Sequence, residues 1–234
     1  MFSEQNRFLV VAAHPDDEVL SIGGILARAR DANIEVAVQF LGEGISARFD
    51  PEDFGNDDYE RAMKTRMDGA KAALDLLGID KVRFENQYCC RFDRLDILDL
   101  VKMVELQIAD FNPTHIFTHN PVEVNIDHRI TYRVVETATR PKPGLALREV
   151  YSFEIPCSGS WTFDDSFKPN FYVDVKEVWD QKLAAWNCYE GEERVFPFPR
   201  SVKGLETMAQ YRGMQAGLEC AEGLRLLRGV VTSN

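Results

Sequence analysis

Residues 8–18 read FLVVAAHPDDE, a continuous apolar run followed by a histidine, a proline and three acidic residues. The run at 8–13 has no polar member, which is typical of a parallel strand buried on both faces of a sheet. Residues 19–30 then carry apolar side chains at helical spacing. The stretch therefore predicts a central strand, a short polar turn that holds His14, and a helix.

The same alternation of strands and amphipathic helices continues along the chain. Further strands are predicted at residues 34–41, 81–85, 114–118, 150–155 and 171–175, and helices at 63–77, 95–108, about 127–140, and from about 176 and 201. The helix at 63–77 is predicted to bury a face made of Met63, Met67, Ala70, Leu74 and Leu77. This order predicts an α/β fold with a Rossmann-like, mostly parallel sheet and helices on both faces. We find no repeat or linker, so we expect one domain over residues 1–234.

Composition excludes several classes of protein. The chain has 234 residues, with 27 Lys+Arg against 38 Asp+Glu and a formal net charge of −11. Without a basic run, this acidic balance argues against a nucleic-acid partner. A chain of this length can bury a complete hydrophobic core without disulfide bonds or a structural metal. Its five cysteines include no C-x-x-C pair, so we predict neither a disulfide framework nor a thiolate zinc site.

The apolar stretch near the start of the sequence bears on location. It is too short for the core of a signal peptide and far too short to span a bilayer. We therefore expect a cytoplasmic protein that does not insert into a membrane.

All four histidines lie within the first 128 residues, and three of them, His14, His119 and His128, lie at or beyond predicted strand ends. Binding sites of α/β sheets gather at the carboxyl ends of the strands. Imidazole and carboxylate groups are ordinary zinc ligands, and a catalytic zinc needs three from the protein. His14 and Asp17 can supply two ligands, and His128 can supply the third if the fold brings the two loops together.

The segment VVAAHPDDE, followed much later by NIDH at a predicted helix start, resembles the LmbE-like, PIG-L family of zinc-dependent de-N-acetylases, which act on N-acetylglucosamine-type sugars. The resemblance covers residues 7–140, and FPFPRS, RGMQAG and residues 221–222 resemble one subgroup of the family. It implies an LmbE-like fold, with His14, Asp17 and His128 as ligands of Zn²⁺ or another divalent transition metal. It also implies that Asp16 is the general base.

Zinc lowers the pKa of bound water, and a carboxylate that does not bind the metal can accept the proton of that water. Several family members carry H-x-D-H at the last ligand, where the first histidine stabilises the oxyanion; this sequence has Asn125 there. An amide can donate a hydrogen bond but carries no positive charge. Either Asn125 serves in that role or His119 replaces it, although the loop backbone could equally hold His119.

Simpler roles compete for the acidic residues of the two motifs. Asp127 is predicted to support the metal ligands from behind, with capping of the helix as the alternative. Asp16 and Asp17 could likewise cap the helix that follows them. Glu18 is predicted to interact with the dipole of that helix.

Two arginines are candidate substrate-binding residues. Arg48 follows the second strand and could bind a hydroxyl or phosphate of a sugar nucleotide, or else be a solvated charge. Arg200 could bind substrate or form a structural ion pair. A sugar-stacking wall could be built from Trp161, Phe163 and Phe167, but packing in the core or at an interface is the favoured prediction.

The sequence thus predicts a zinc-dependent hydrolase that removes acetyl from an N-acetylated amino sugar, which could be linked to a nucleotide or a glycan. The expected partner is a small N-acetylated sugar, and a homo-oligomer is left open. One alternative is an amidase on another N-acyl substrate, such as a thiol-sugar conjugate. Another is a non-catalytic module that binds carbohydrate or nucleotide. The unligated carboxylate expected at Asp16 argues against such a module.

Overall fold

The apolar run forms strand β1 (Arg7–Ala12), an inner strand of a seven-stranded sheet. The structure is a computed structural model and describes residues 1–163 and 165–231. The other strands are β2 (Glu35–Gly42), β3 (Lys81–Gln87), β4 (His115–His119), β5 (Glu149–Phe153), β6 (Phe171–Asp174) and β7 (Ala221–Gly229). The helices are α1 (Asp17–Asp31), α2 (Asp57–Leu76), α3 (Ile97–Phe111), α4 (Ile126–Ala138), α5 (Trp179–Trp186) and α6 (Val202–Met214).

The sheet is mostly parallel, as the alternation of strands and helices predicts. Its strand order is β3-β2-β1-β4-β5-β7-β6. Strands β1 to β5 pair in parallel, whereas β7 is antiparallel to both β5 and β6. The Rossmann-like α/β class is confirmed.

Alternate residues of β1 supply the two halves of the core. Phe8 and Val10 pack with buried residues of α1, α2 and α5, whereas Leu9 and Val11 pack with those of α3 and α4. Successive side chains of a strand point to opposite faces, so a strand covered on both faces is apolar throughout. The predicted helices on both faces are therefore confirmed.

Strand β7 is the main element that the sequence analysis missed. Its sequence, AEGLRLLRG, contains no β-branched or aromatic residue, the types enriched in strands. Pairing with β5 and β6 on its two sides makes it a strand nevertheless. The helix predicted from residue 176 also differs slightly, because Lys176–Val178 form a 3₁₀ turn before α5 begins.

No helix in the described ranges is both long and apolar enough to cross a membrane. All five cysteines lie in those ranges and are free thiols.

The strand order places the candidate site. The chain moves from β1 through β2 to β3 on one side, and then returns to add β4 on the other side of β1. Where the order reverses in this way, the loops after the two strands separate and leave a crevice at their carboxyl ends. His14 follows β1 and His119 ends β4, so both lie at this switch point.

Helix α1 is interrupted at Ile22, where the backbone leaves helical geometry (φ −133°, ψ 21°). The carboxylate of Glu222 spans the interruption by accepting hydrogen bonds from the backbone N–H groups of Gly24 (2.9 Å) and Ile25 (2.8 Å). Lys182 pairs with the same carboxylate and donates to a carbonyl of the preceding turn. A buried ion pair thus replaces helical hydrogen bonds that the interruption removes.

We expect Glu222→Ala to destabilise the protein by about 3 kcal/mol, because it leaves a buried ammonium group and two backbone donors without an acceptor. Urea unfolding followed by circular dichroism measures the change. The control is Glu219→Ala, which removes an exposed partner of Lys176 and should change stability little. Equal stability of both variants would contradict this role of Glu222.

Candidate functional site

The fold brings His14, Asp17 and His128 together. Asp17 Oδ2 lies 3.6 Å from His14 Nδ1 and 3.5 Å from His128 Nε2, and these two nitrogens are 3.4 Å apart. His14 follows β1, Asp17 begins α1, and His128 lies in the first turn of α4. All three are buried, with His14 the most exposed at 8%. The convergence expected from the fold is therefore present, with one ligand atom of each residue within 4.8 Å of the others.

Asp127 lies behind this cluster. Its Oδ2 is 2.9 Å from His14 Nε2, and the carboxylate also accepts hydrogen bonds from the backbone N–H groups of Cys90 and Phe92. It does not cap α4; Asn125 does, by accepting from the N–H of Asp127 at 2.9 Å. Asp127 thus supports His14, a ligand candidate from the other motif. With the proton on Nε2, His14 presents the lone pair of Nδ1 to the cluster.

The charges around this cluster favour a cation. Burial would lower the pKa of His14, but the hydrogen bond to Asp127 and the charges of Asp17 and Asp127 outweigh it and raise the pKa to about 9. Burial would raise the pKa of Asp17, but His128 and His119 hold it well below its usual range. Asp17 Oδ1 is buried without a hydrogen-bond partner among the described residues. Two imidazole nitrogens and a carboxylate with an unpaired buried oxygen fit a divalent metal ion.

Asp16 lies beside the cluster in a strained conformation. Its φ of 118° is rare for a residue with a side chain. Its Oδ2 accepts hydrogen bonds from Arg66 Nη1 (2.8 Å) and Arg200 Nη1 (3.2 Å). Neither Asp16 nor Asp17 caps α1: Asp16 makes no capping hydrogen bond, and Asp17 Oδ2 instead accepts from the backbone N–H of His14 at 2.8 Å. The capping alternative is therefore wrong for both residues.

Asp16 belongs to a cluster of three arginines and two carboxylates. The other members are Arg48, Arg66, Arg200 and Glu192. Glu192 pairs with Arg48 at 2.7 Å, also with Arg66, and lies 3.6 Å from Arg200. Burial would raise the pKa of Glu192, but the arginines outweigh it and lower the pKa. Asp16 and Glu192 together balance two of the three guanidinium charges. One positive charge is left over, and the Arg48 side chain is 46% exposed.

Arg66 and Glu192 were not among the residues predicted for the site. Met63 and Met67 of the predicted buried face are only partly buried, and the inward face of α2 instead includes Tyr59, Arg66 and Ala73. An arginine among inward-facing positions is the signal that could have found Arg66. Glu192 lies in a loop whose sequence carries no such signal.

Glu18 is fully buried in the first turn of α1. Its Oε2 accepts a hydrogen bond from the backbone N–H of Asp16 at 3.0 Å, and its Oε1 contacts the hydroxyl of Tyr189. Glu18 therefore lies at the helix N-terminus, where the prediction places it, and is not among the three residues that could hold the metal. Burial raises the pKa of its carboxyl group to about 8, which weakens the interaction of this group with the helix dipole.

His119 lies behind Asp17 and is completely buried. Its Nε2 accepts a hydrogen bond from the backbone N–H of Ala13 at 2.9 Å, and its ring stacks on His128 with centroids 4.1 Å apart. Burial and the neighbouring His128 lower the pKa of His119 to about 4. Glu123, which the sequence analysis also missed, is buried with Oε2 3.2 Å from His128 Nδ1. The sequence signal that could have found Glu123 is its position shortly after His119, at the end of a strand that contains two histidines.

The remaining aromatic candidates separate in space. Phe167 is buried beneath the guanidinium of Arg212, as packing predicts. Trp161 is half exposed and meets Phe198 edge to face, and Phe163 is fully exposed. Core packing is therefore confirmed for Phe167. Phe163 lies outside the core, so its packing at an interface stays a prediction.

The mostly parallel α/β sheet, with buried histidine and aspartate side chains at its switch point that could hold a metal ion, has the fold of the LmbE-like deacetylases. The profile of the GlcNAc-PI de-N-acetylase family, PIG-L, matches residues 9–139, more than half of the chain. The protein belongs to this family of deacetylases.

The relatives are named for two different activities, deacetylation and hydration. A diacetylchitobiose deacetylase from Thermococcus kodakarensis is 26% identical over 246 residues, 98% of this chain and 86% of that protein. A 4-oxalmesaconate hydratase from Pseudomonas putida is 27% identical over 263 residues, 100% of this chain and 94% of that protein. The crystal structure of the 4-carboxy-2-hydroxymuconate hydratase from Pseudomonas putida shares the fold, with a TM-score of 0.78 at 24% identity over 98% of this chain and 99% of that one.

Proposed function

We propose that this protein is a metal-dependent hydrolase that removes the acetyl group from an N-acetylated amino sugar. The observation that carries the proposal is the buried cluster of His14, Asp17 and His128 with the carboxylate of Asp16 beside it, in a chain of the de-N-acetylase family. The deacetylase relative named for diacetylchitobiose supports a sugar substrate.

His14, Asp17 and His128 would hold the metal, Zn²⁺ or another divalent transition metal. The metal would supply a water of lowered pKa and would polarise the acetamide carbonyl. Asp127 fixes His14 with the lone pair of Nδ1 toward this position. The three ligands leave a coordination position open, as catalytic zinc requires.

Asp16 is the proposed general base. Its carboxylate accepts the proton of the attacking water, and the resulting carboxyl group delivers that proton to the departing nitrogen as the C–N bond breaks. One water is consumed, and acetate and a free amino sugar are formed. Arg66 and Arg200 hold the Asp16 carboxylate in position.

Asn125 is the proposed oxyanion donor. Its Oδ1 is occupied by the N–H of Asp127, so the amide N–H₂ is the group left to donate. His119 is completely buried and its Nε2 is already occupied by Ala13, which favours a supporting role for His119. Asp127 takes part in the proposed chemistry only through His14.

We expect Asn125→Asp to lower kcat on an acetamide roughly 100-fold, because it removes the donor that faces developing negative charge. Aspartate caps a helix as well as asparagine does, so stability and metal content should not change. Steady-state kinetics and metal analysis measure both effects. Asn125→His, which restores a donor, should recover part of the rate; an unchanged rate in both variants would contradict the assignment.

The arginine cluster favours an anionic substrate group. Arg48 is half exposed, and Arg200 keeps 20% of its side chain exposed. The unbalanced guanidinium charge suits a phosphate or carboxylate on the substrate. We propose Arg48 and Arg200 as its binding residues.

A second candidate function is hydration of an unsaturated carboxylic acid. The match to the hydratase spans all of this chain at an identity similar to that of the deacetylase match. Addition of water to a double bond also needs an activated water and a base, and the arginine cluster suits carboxylates.

The two functions are separated by assaying the zinc-loaded protein on two substrate panels. Acetate release is measured on free, nucleotide-linked and oligomeric N-acetylhexosamines, and loss of ultraviolet absorbance on unsaturated di- and tricarboxylic acids. The proposal requires acetate release from a member of the first panel. Absorbance loss alone would establish the hydratase. The absence of a reaction in both panels would overturn both candidates, in favour of another N-acyl substrate or a binding module.

A further inference from the structure

Three polar side-chain atoms are buried behind the proposed metal ligands. They are Oε2 of Glu123, Nδ1 of His119 and Nδ1 of His128, and each lacks an aligned hydrogen-bond partner within the described part of the chain. A ligand atom from each of these residues lies within 4.8 Å of the others. We propose that Glu123 is a positioning residue: its carboxylate fixes the tautomer of His128, so that Nε2 of this ring faces Asp17 without a proton. The inference rests on the proposed role of His128 as a metal ligand.

The tautomer of His119 follows from its neighbour Ala13. The backbone N–H of Ala13 donates to Nε2 of His119 at 2.9 Å, so that nitrogen carries a lone pair and no proton. The proton of the neutral ring is therefore on Nδ1. Ala13 therefore sets the tautomer of His119, and the Glu123 carboxylate is not needed for it.

The same carboxylate decides the tautomer of His128. Its Oε2 lies 3.2 Å from His128 Nδ1, whereas His128 Nε2 lies 3.5 Å from Asp17 Oδ2. A proton on Nδ1 faces Glu123 and leaves the lone pair of Nε2 for the metal.

His119, Glu123 and His128 could in principle hold a cation of their own. The hydrogen bond from Ala13 argues against this arrangement, because a cation on Nδ1 of His119 would displace the only proton of that ring. A cation shared in this way would also require His128 to ligate through both nitrogens. The geometry therefore favours Glu123 as the acceptor of the Nδ1–H group of His128.

The test is Glu123→Gln, which keeps the shape of the side chain but replaces one acceptor oxygen by a donor. Two-bond ¹H–¹⁵N spectra of the imidazoles at neutral pH report each tautomer in the metal-free protein. We expect both rings to be protonated on Nδ1 in the wild type. In the variant, His128 should shift toward Nε2 protonation, whereas His119, which Ala13 holds, should not. Zinc affinity, measured by competition with a chelator, should fall about 10- to 100-fold. Should Glu123→Gln fail to fold, Glu123→Asp serves instead, with a smaller shift of the same kind.

Glu149→Gln is the matched control. Glu149 Oε2 lies 3.0 Å from His115 Nε2 at the opposite end of β4, so this variant should alter only the His115 signals and leave zinc affinity unchanged. Unchanged tautomers and affinity in Glu123→Gln would overturn the proposal. So would a wild type that binds two zinc ions per chain and loses one of them in the variant, since Glu123 would then be a ligand. The spectra of metal-free protein do not depend on catalysis, so a wild type that releases no acetate would contradict only the proposed function.

Discussion

Asp16→Asn is expected to lower kcat for acetate release by about three orders of magnitude while the metal content stays at the wild-type level. A positioned general base contributes roughly 10²- to 10⁴-fold to a rate, and asparagine cannot accept the proton of the attacking water. Asparagine keeps the shape of the side chain, and its amide oxygen can still accept hydrogen bonds from Arg66 and Arg200. The fold and the metal ligands should therefore be unaffected.

The measurements are steady-state acetate release, metal analysis and thermal unfolding on the same preparations. Asp99→Asn, in the exposed first turn of α3, is a matched control that should keep wild-type activity. Loss of metal together with activity in Asp16→Asn would place Asp16 among the ligands. Retention of most of the wild-type turnover would remove it from the proposed mechanism.

His128→Ala is expected to reduce bound zinc from about one ion per chain to a small fraction of that, because a catalytic zinc site has only three ligands from the protein. Loss of His128 leaves His14 and Asp17, which are close together in sequence and cannot surround the ion. Deacetylation should fall to background with the metal. Metal analysis after dialysis against a chelator measures the occupancy.

His115→Ala is the matched control for this loss. His115 begins β4 and pairs with Glu149, whereas His119 ends the same strand at the site. The control variant loses an imidazole of similar burial and should keep its metal. Full zinc occupancy in His128→Ala would contradict the proposed ligand set.

Much of the fold could be predicted because burial leaves a periodic pattern in sequence. The unbroken apolar run at 8–13 predicted an inner strand, and helical spacing predicted the covering helices. Strand β7 could not be found in this way, because its sequence contains none of the β-branched or aromatic residues that are typical of strands. Its pairing with β5 and β6 depends on segments far away in the chain.

The ligand candidates could be predicted from the sequence because local order places them. His14 and Asp17 flank one strand-to-helix turn, and His128 lies in the first turn of another helix. The sequence predicted both positions. The partner of Asp127 was less visible: its carboxylate supports His14, which is 113 residues away. The sequence predicted that Asp127 supports the metal ligands, but not that the ligand it contacts is His14.

The sequence by itself determined the α/β class, the turn that carries His14, Asp16 and Asp17, and the candidate ligand set, since each follows from local patterns of burial and residue type. Only the tertiary structure decided the surroundings of those residues. The fold brings Arg66 into hydrogen-bond contact with Asp16, which is 50 residues away in the chain, and Glu123 into contact with His128. It also buries Glu18, and this burial raises the pKa of Glu18 to about 8. The physical reason is that charge and hydrogen bonding act through space, and the order of strands at the switch point decides which side chains become neighbours.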